Sequence, residues 1–325
     1  MIQTLAAETK TNIHFDPEPH IYYDDSDRKY TSVTTLIGRY KKPFNKVYWS
    51  MYTALKNNGY KVGFDREELF IKVNSYPYSL EALYRNPEIV NKVSKTVKDW
   101  QELTDIACAR GNKIHDKLEQ DINLSKRDEK GKTNDFINPI KPGSHELIEF
   151  KTKHDLDATG LQFRFPVIYE KLMFYINKGC TIYAEKRIYS TTFLIAGMID
   201  VLIVKGKQFA ILDWKTNKDV IHFNSGYYKK VKNAEGKWVK SNVYVQTDDR
   251  LLAPIDSLQE CKGNLYSLQL TLYAYIMMRW GYRLIENGLN IYHIRPNEEP
   301  KLVPVRYMHT EIERLLKHHY LTNVA

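Results

Sequence analysis

Two apolar, β-branched stretches in the second half of the chain, residues 194–204 and 208–214, predict a pair of neighbouring strands. The segment that joins them, Lys205-Gly-Lys-Gln, is typical of a tight turn. If its two middle residues form the turn, the register that follows places Asp200 opposite Asp213. The pattern of apolar positions therefore predicts a hairpin with two facing carboxylates.

Lys215 lies two residues beyond Asp213, so strand alternation puts its ammonium group on the same face as the carboxylates. Two directly opposed carboxylates repel each other by roughly 0.2–1 kcal/mol. A divalent cation between them replaces that repulsion with attraction, and Mg²⁺ prefers hard oxygen ligands of this kind. The three residues predict a metal-dependent phosphodiesterase site. The alternative is a surface hairpin with unrelated charges.

The rest of the chain mixes helical and strand periodicities, which predicts an α/β sandwich with a mostly antiparallel run of strands. Ser32 is a candidate N-cap for a helix with Val33, Leu36 and Ile37 on one face. Residues 44–104 look largely helical. Further helices are predicted at 89–119, 161–177, 265–285 and from 308, and further strands at 13–31, 180–190, 290–295 and 302–306.

We expect two regions along the chain. Residues 1–95 would form an N-terminal hairpin with a helical subdomain, which makes one wall of a groove. Residues 96–325 would form the core that carries the site. Polar stretches near 122–144 and 220–262 are predicted insertions in that core.

Composition favours a globular protein with an anionic partner. The chain has 325 residues, 43% of them hydrophobic, and a net charge of +9. Its three cysteines, Cys108, Cys180 and Cys261, are too few and too scattered for a four-cysteine iron–sulfur or zinc site. No run of 18 or more apolar residues and no secretory signal pattern is present, so we expect no membrane partner and a cytoplasmic location.

Four motifs together resemble the PD-(D/E)XK nuclease superfamily. They are Arg110-Gly-Asn-Lys-Ile-His115, Gly197-Met-Ile-Asp200, Asp213-Trp-Lys215-Thr, and Gln269-Leu-Thr-Leu-Tyr273. Their order is similar to that in the RecB-like branch, which includes CRISPR adaptation nucleases, the mitochondrial single-strand exonuclease and phage exonucleases. The resemblance implies a restriction-endonuclease-like core, a central mixed sheet flanked by helices. It also implies one or two Mg²⁺ or Mn²⁺ ions, here without an iron–sulfur cluster.

The resemblance implies roles for residues outside the hairpin. His115 would be a metal ligand, although a lone helical histidine is usually structural. Gln269 and Tyr273 share a helix face at a spacing of four residues. Gln269 would orient Lys215 or the attacking water, and Tyr273 would contact the DNA backbone or pack beneath the site; the alternative is an amphipathic core helix.

Two further metal ligands are predicted. Glu185 lies on the strand before Asp200 and would face it if the intervening loop were Thr191 to Leu194. The backbone carbonyl of Trp214 is the other candidate.

A basic, aromatic segment follows the hairpin and predicts contacts with nucleic acid. Lysines can follow phosphates while aromatic rings stack on the bases of a single strand. The alternative is a solvated basic hairpin with its tryptophan packed inward. The candidate contact residues, including two near the motifs, are Arg110, Thr216, Lys229, Lys230, Lys232 and Trp238.

These observations predict a metal-dependent DNA exonuclease that acts on single strands or ends in recombination, replication or repair. A structure-specific endonuclease of the same fold and an inactive DNA-binding protein are the alternatives. A homo-oligomer and a recombination or replication partner stay open, and the expected location is a bacterial or phage-infected cytoplasm. Three histidines of the last helix, His309, His318 and His319, are predicted to lie on a solvated face.

Overall fold

The computed structural model describes residues 8–16, 21–65, 68–122, 149–150, 153, 161–236 and 238–324. The chain divides into two compact units, Met1–Lys42 with His115–Ala325, and Pro43–Ile114. This grouping differs from the predicted 1–95 and 96–325 regions. The N-terminal strands belong with the large sheet because Thr31 and Ser32 pair directly with one of its central strands.

The larger unit contains a mixed sheet and the helices packed against it. Its strands are β1 (Ile13–Asp16), β2 (Ile21–Asp24), β3 (Lys29–Ser32), β7 (Glu149–Phe150), β8 (Thr181–Ser190), β9 (Ile195–Lys205), β10 (Gln208–Lys215), β11 (Gly226–Lys232), β12 (Trp238–Gln246), β13 (Arg283–His293) and β14 (Lys301–Pro304). Its helices are α1 (Val33–Gly38), α5 (Leu161–Arg164), α6 (Pro166–Asn177), α7 (Lys262–Arg279) and α8 (His309–Asn323).

The smaller unit contains α2 (Lys46–Asn57), β4 (Val62–Asp65), β5 (Phe70–Val73), β6 (Tyr76–Ser79), α3 (Leu80–Tyr84) and most of α4 (Pro87–Ile122). The prediction of a largely helical 44–104 was wrong in its middle, where β4, β5 and β6 form an antiparallel sheet. Asn74 and Ser75 have φ values of 51° and 76°, which is the backbone of a two-residue hairpin turn. Ile71 and Val73 alternate into the core of this unit.

Among the described residues, the large sheet has the strand order β1-β2-β3-β9-β10-β13-β14, with β8 on β9 and β7 on β8. Strands β8, β9 and β10 are antiparallel to one another, whereas β13 is parallel to β10. A parallel return needs a crossover, and α7 provides it. The architecture is therefore α/β, with a mixed central sheet flanked by helices.

Helices cover both faces of this sheet. Phe209 and Ile211 of β10 belong to the core that α7 covers with fully buried residues such as Leu272. Burial of a leucine of this kind stabilises the fold by roughly 1.5–3 kcal/mol. On the opposite face, Trp214 packs against Tyr292, whose hydroxyl donates to the Val167 carbonyl of α6.

The register of the β9–β10 hairpin is the predicted one. Lys205 pairs with Gln208, and the ladder continues to Val201 opposite Leu212. It ends there, one residue before Asp200 and Asp213. At its other end, β9 pairs with β3 through Ile195 and Ala196. The segment Gly197–Asp200 therefore lies between the two ladders, and we call the place where β9 and β10 separate the fork.

The helix predicted at 265–285 ends earlier than expected. Trp280 is its C-cap and Gly281 has a φ of 84°, a left-handed conformation that glycine adopts at low cost. The helix predicted at 161–177 is interrupted at Phe165, because Pro166 starts a new helix. The predicted N-cap Ser32 is confirmed: its hydroxyl accepts a hydrogen bond from the Thr35 N–H.

The prediction of a solvated histidine face on α8 was wrong for one residue. His309 is exposed, and His318 shares a hydrogen bond with the Tyr40 hydroxyl. His319 is buried, with 1% exposure, and its Nε2 lies 3.0 Å from the Phe193 carbonyl oxygen. This histidine therefore ties the last helix to the turn between β8 and β9.

Candidate active site

Asp200 and Asp213 lie side by side at the fork. An Asp200 carboxylate oxygen accepts a hydrogen bond of 2.8 Å from the Trp214 backbone N–H, the peptide group that follows Asp213. Asp213 is buried, with 1% exposure, whereas Asp200 is half-buried. Asp213 follows Phe209 and Ile211 at alternate positions, so it points to the face that α7 covers. The structure thus brings together the two carboxylates that the sequence pairs.

Lys215 supplies the positive charge beside them. Its Nζ lies 2.6 Å from Asp213 Oδ2. Burial lowers the pKa of Lys215, but the charges of Asp213 and Asp200 outweigh that effect and the pKa is raised. The ammonium group therefore stays protonated at neutral pH.

Asp213 Oδ2 is an unusual acceptor. The oxygen is buried, and no described residue donates it a hydrogen bond of ordinary geometry; its contact with Lys215 is an ion pair. A buried carboxylate oxygen normally has such a donor. This oxygen therefore retains an acceptor site that a cation can use.

Gln269 and Tyr273 of α7 meet as predicted on one helix face, and the Gln269 amide donates a 3.0 Å hydrogen bond to the Tyr273 hydroxyl. Burial, followed by the nearby charge of Asp213, raises the pKa of Tyr273 well above its ordinary value. Tyr273 is therefore a neutral phenol next to the carboxylates. Because Gln269 acts as the donor, the proton of that phenol remains available to an acceptor in the site.

Gly197 explains why this tyrosine reaches the fork. A Cβ atom at position 197 would lie 2.5 Å from Cε1 of Tyr273, a distance that packed atoms do not reach. Only glycine lets the ring rest directly on β9 at this point. Gly197, the first residue of the Gly197-Met-Ile-Asp200 motif, therefore allows Tyr273 of another motif to pack against β9.

Tyr266 is a site residue that the sequence reasoning missed. Its ring centroid lies 4.8 Å from Lys215 Nζ, and its hydroxyl donates to Asn217 Oδ1 over 3.3 Å. Lys215 is thus held between Asp213 and an aromatic ring. The signal was present in the sequence, because Tyr266 precedes Tyr273 by two helical turns and shares its face.

Tyr22 of β2 was also missed. Burial raises its pKa to about 12, while the charge of Arg187 acts to lower the pKa and that of Glu185 to raise it. The same tyrosine also affects the pKa of Tyr273. The N-terminal strands therefore contribute an aromatic side chain to the surroundings of the fork.

Glu185 has the predicted register. The turn from Thr191 to Leu194 leads into a pair between Ser190 and Ile195, and the same register brings position 185 opposite position 200. Glu185 has a φ of 52°, a left-handed conformation that costs a non-glycine residue about 1–3 kcal/mol. Within the described residues, no group of three or more His, Cys, Asp or Glu side chains could hold a metal ion. The role of Glu185 as a ligand stays a prediction.

The other predicted site residues are distributed as follows. His115 lies in α4, but its side chain falls outside the described residues, and so does that of Trp238 in β12. Arg110 belongs to the smaller unit. Thr216 follows β10 directly and is half-buried. Lys229, Lys230 and Lys232 are exposed along β11, and the role of the Trp214 carbonyl stays a prediction.

Comparisons of the chain with protein-family models, with curated proteins and with solved structures gave no match. None of the described helices is both long enough and apolar enough to cross a membrane.

Proposed function

We propose that the chain is a metal-dependent deoxyribonuclease of the PD-(D/E)XK superfamily that acts as an exonuclease in recombination, replication or repair. One observation carries the proposal: Asp200, Asp213 and Lys215 meet on one sheet face at the fork. In a surface hairpin with unrelated charges, a nearly fully buried Asp213 would be costly without a function for its charge.

The arrangement of strands and helices supports the same proposal. The three antiparallel strands β8, β9 and β10 carry the acidic residues, α7 crosses over the sheet, and β13 returns parallel to β10. This layout agrees with the mixed sheet flanked by helices that the motifs imply. It also explains why Tyr273, far from the hairpin in sequence, lies near Asp213 and carries with it the hydrogen-bonded Gln269.

The donor atoms suit a magnesium or manganese ion. Asp200 and Asp213 offer hard carboxylate oxygens, and Asp213 Oδ2 has no ordinary hydrogen-bond donor among the described residues. Mg²⁺ commonly takes one or two carboxylates, with water and substrate phosphate in its remaining positions. When bound, such an ion would supply Lewis-acid activation of the phosphate and of a water molecule.

The positive charge of Lys215 determines its proposed role in the reaction. Its ammonium, fixed between Asp213 and Tyr266, stabilises the negative charge that develops on the phosphate oxygens in the transition state. Because neighbouring residues already hold the side chain, little reorganisation is needed during the reaction. A cation on the carboxylates would offset part of the attraction that raises the pKa of Lys215, so that pKa falls in the loaded site.

Tyr273 and Gln269 position the substrate in this proposal. The neutral phenol of Tyr273 donates a hydrogen bond to a phosphate oxygen, and Gln269 fixes the direction of that phenol. The phenol would have to lose its proton to repel a phosphate, and its raised pKa prevents that at neutral pH.

The test uses linear DNA labelled at the 5′ or the 3′ end, single- and double-stranded, beside closed circles, in Mg²⁺, Mn²⁺ or EDTA. We expect shortening of linear DNA only, dependent on metal and absent in Asp213→Asn. The matched control Asp256→Asn changes an exposed carboxylate in a loop and should cut like the parent. Cut circles would indicate an endonuclease of the same fold. Binding without cleavage in any metal would contradict the proposal.

A further inference from the structure

A cleft of about 430 Å³ lies where the β11–β12 hairpin meets the start of α7. One wall is aromatic and consists of His222, Tyr228 and Tyr244. Tyr227 and the lysines at positions 41 and 262 line the cleft as well. All of these residues belong to the larger unit.

The aromatic wall is held in place by its own contacts. The rings of His222 and Tyr244 stack with centroids 3.8 Å apart and an angle of 11° between their planes. Tyr228 packs edge-on against Tyr244, and its hydroxyl lies 2.8 Å from Nε2 of His222. Tyr244 also donates a hydrogen bond to the Asn224 carbonyl. The wall is therefore fixed before any ligand arrives.

Tyr227 is different from the wall residues because it is 56% exposed. An aromatic ring that is largely in water gains free energy when another flat ring covers it. Nucleic-acid bases stack on such rings with little dependence on sequence. Tyr227 therefore offers a stacking platform at the mouth of the cleft.

The cleft has a net positive charge, because three lysines, at positions 41, 240 and 262, line it with two carboxylates, Asp219 and Glu260. Asp219 pairs with Lys240, and the Glu260 carboxylate accepts a hydrogen bond of 3.1 Å from the backbone N–H of Lys42. Lys41 and Lys262 are exposed, and no ion pair joins either of them to a described residue. Two ammonium groups beside an aromatic surface match a nucleotide, with its phosphate and its base.

The cleft is close to the fork along two routes. Lys262 starts α7 four residues, about 6 Å along the helix, before Tyr266, and the ring of Tyr266 rests against Lys215. Asp219, another residue of the cleft, follows Lys215 by four positions. A nucleotide in the cleft is therefore close enough to the fork to belong to the same strand as a phosphate bound there.

We propose that this cleft is a subsite for one unpaired nucleotide and that the substrate of the fork is single-stranded DNA. The base stacks on Tyr227, and its phosphate lies between Lys41 and Lys262. A base inside a duplex already has both faces covered by its neighbours, so it cannot stack on Tyr227 without leaving the helix. The inference rests on the proposed nuclease function and names its substrate class.

The first experiment measures binding separately from cleavage. Fluorescein-labelled dT oligonucleotides and a hairpin duplex are titrated with the Asp213→Asn protein in EDTA. In this background, we expect Tyr227→Leu to weaken single-strand binding about tenfold and to leave duplex binding unchanged. Lys41→Gln with Lys262→Gln should reduce the slope of log K against log salt by about 0.7, because the two lysines neutralise one phosphate of a single strand.

Matched controls remove the same groups elsewhere in the larger unit. Phe174→Leu removes an aromatic ring that is 51% exposed on α6. Lys207→Gln removes a lysine from the exposed turn at the far end of β10 from Lys215. Both should bind the oligonucleotides like the background protein. Circular dichroism checks that Tyr227→Leu, which changes an exposed side chain, is folded.

An abasic position locates the subsite. The abasic position is moved one nucleotide at a time along the oligonucleotide. At one place it should weaken binding to the protein that has Tyr227 but not to the Tyr227→Leu variant. Equal binding of the single strand by Tyr227→Leu, or no such position, would overturn the inference.

The two proposals fail in different ways. If the intact protein binds single strands through Tyr227 but cuts no DNA, the proposed nuclease function is wrong and the nucleotide subsite is supported. If the intact protein cuts DNA but its binding does not depend on Tyr227 or on either lysine, the nuclease function is supported and the proposed subsite is wrong.

Discussion

At the scale of single residues, the fork is a balance of charges. Two carboxylates face one ammonium, and the nearly buried Asp213 depends on Lys215 as its counter-charge. Breaking such a pair costs more than the pair itself contributes, because a buried charge is left without a partner. A divalent cation would compensate for the loss, so stability can report on the metal without any assay of cleavage.

Lys215→Met should therefore be unstable only without metal. We expect it to lower the free energy of unfolding in EDTA by about 2–3 kcal/mol, somewhat less than for a fully buried pair. Saturating Mn²⁺ should restore most of that loss. Urea unfolding of parent and variant, with and without Mn²⁺, measures both effects.

The control for this measurement is Lys240→Met, which breaks the exposed pair with Asp219. It should cost at most about 1 kcal/mol and should not respond to Mn²⁺. Equal destabilisation by the two variants, or no recovery of Lys215→Met in Mn²⁺, would contradict a metal-binding fork.

Tyr266 is expected to act through Lys215. Tyr266→Leu removes the ring beside the ammonium and should lower kcat about five- to tenfold, with little change in KM, because a cation–π contact is worth about 1 kcal/mol. Tyr266→Phe keeps the ring and should retain most of the activity. A Phe variant as impaired as the Leu variant would show that the hydroxyl, through Asn217, matters more than the ring.

Among the helices and strands, a feature could be predicted from the sequence when neighbouring residues determine it. The β9–β10 register follows from a short turn and an apolar pattern, and it was correct. The end of α7 and the strands β4 to β6 were missed because they depend on left-handed residues such as Gly281 and Asn74, which the pattern of apolar residues does not show. The burial of His319 depends on a tertiary contact with Phe193.

Gly197→Ala tests the contact between β9 and α7. The added methyl group would lie 2.5 Å from a carbon of the Tyr273 ring, so the ring or the strand must move. We expect a loss of stability of about 1–3 kcal/mol in urea unfolding, together with loss of cleavage.

Gly38→Ala is the matched control, since an added Cβ at this last residue of α1 meets no atom within 4 Å. It should leave both stability and cleavage near those of the parent. A Gly197→Ala protein as stable and active as Gly38→Ala would mean that Tyr273 does not rest on β9.

His319 gives α8 a dependence on pH. Burial lowers the pKa of His319 in the folded state, with smaller contributions from Arg39 and His318. The unfolded chain therefore takes up a proton more readily, and stability is lost as the pH falls through the ordinary histidine pKa of about 6.5. Burial lowers the pKa of His293 as well, which contributes in the same direction.

His319→Gln should keep a donor for the Phe193 carbonyl and remove the titration. The difference in unfolding free energy between pH 7.5 and pH 5 should become smaller than in the parent. The exposed His309→Gln should leave that difference unchanged. If both variants behave alike, the acid sensitivity has another source.

At the scale of the whole molecule, the sequence identified more of the site than of its surroundings. Asp200, Asp213 and Lys215 follow from one hairpin, and Gln269 with Tyr273 from one helix face. Tyr22 could not be placed by the sequence because it reaches the fork through the pairing of β3 with β9, across more than 160 residues of chain. Long-range pairings of this kind leave no local pattern.

The division into units follows from the same cause. Residues before Pro43 are close in sequence to the smaller unit, yet they belong to the large sheet through β3 and through packing of α1 in its core. A net charge of +9 indicates an anionic partner for the whole chain, but it does not show where that partner binds. We propose that the partner binds in the cleft beside the fork, which Tyr227 and two lysines line.

We propose that Asp200 and Asp213 bind a divalent cation at the fork. A calorimetric titration with Mn²⁺ measures that binding on the parent, Asp200→Asn, Asp213→Asn and the exposed Asp256→Asn. We predict binding by the parent and by Asp256→Asn, and affinity weakened about tenfold or more in each fork variant. Equal binding by all four proteins, or no binding by the parent, would show that these two carboxylates do not form a cation site.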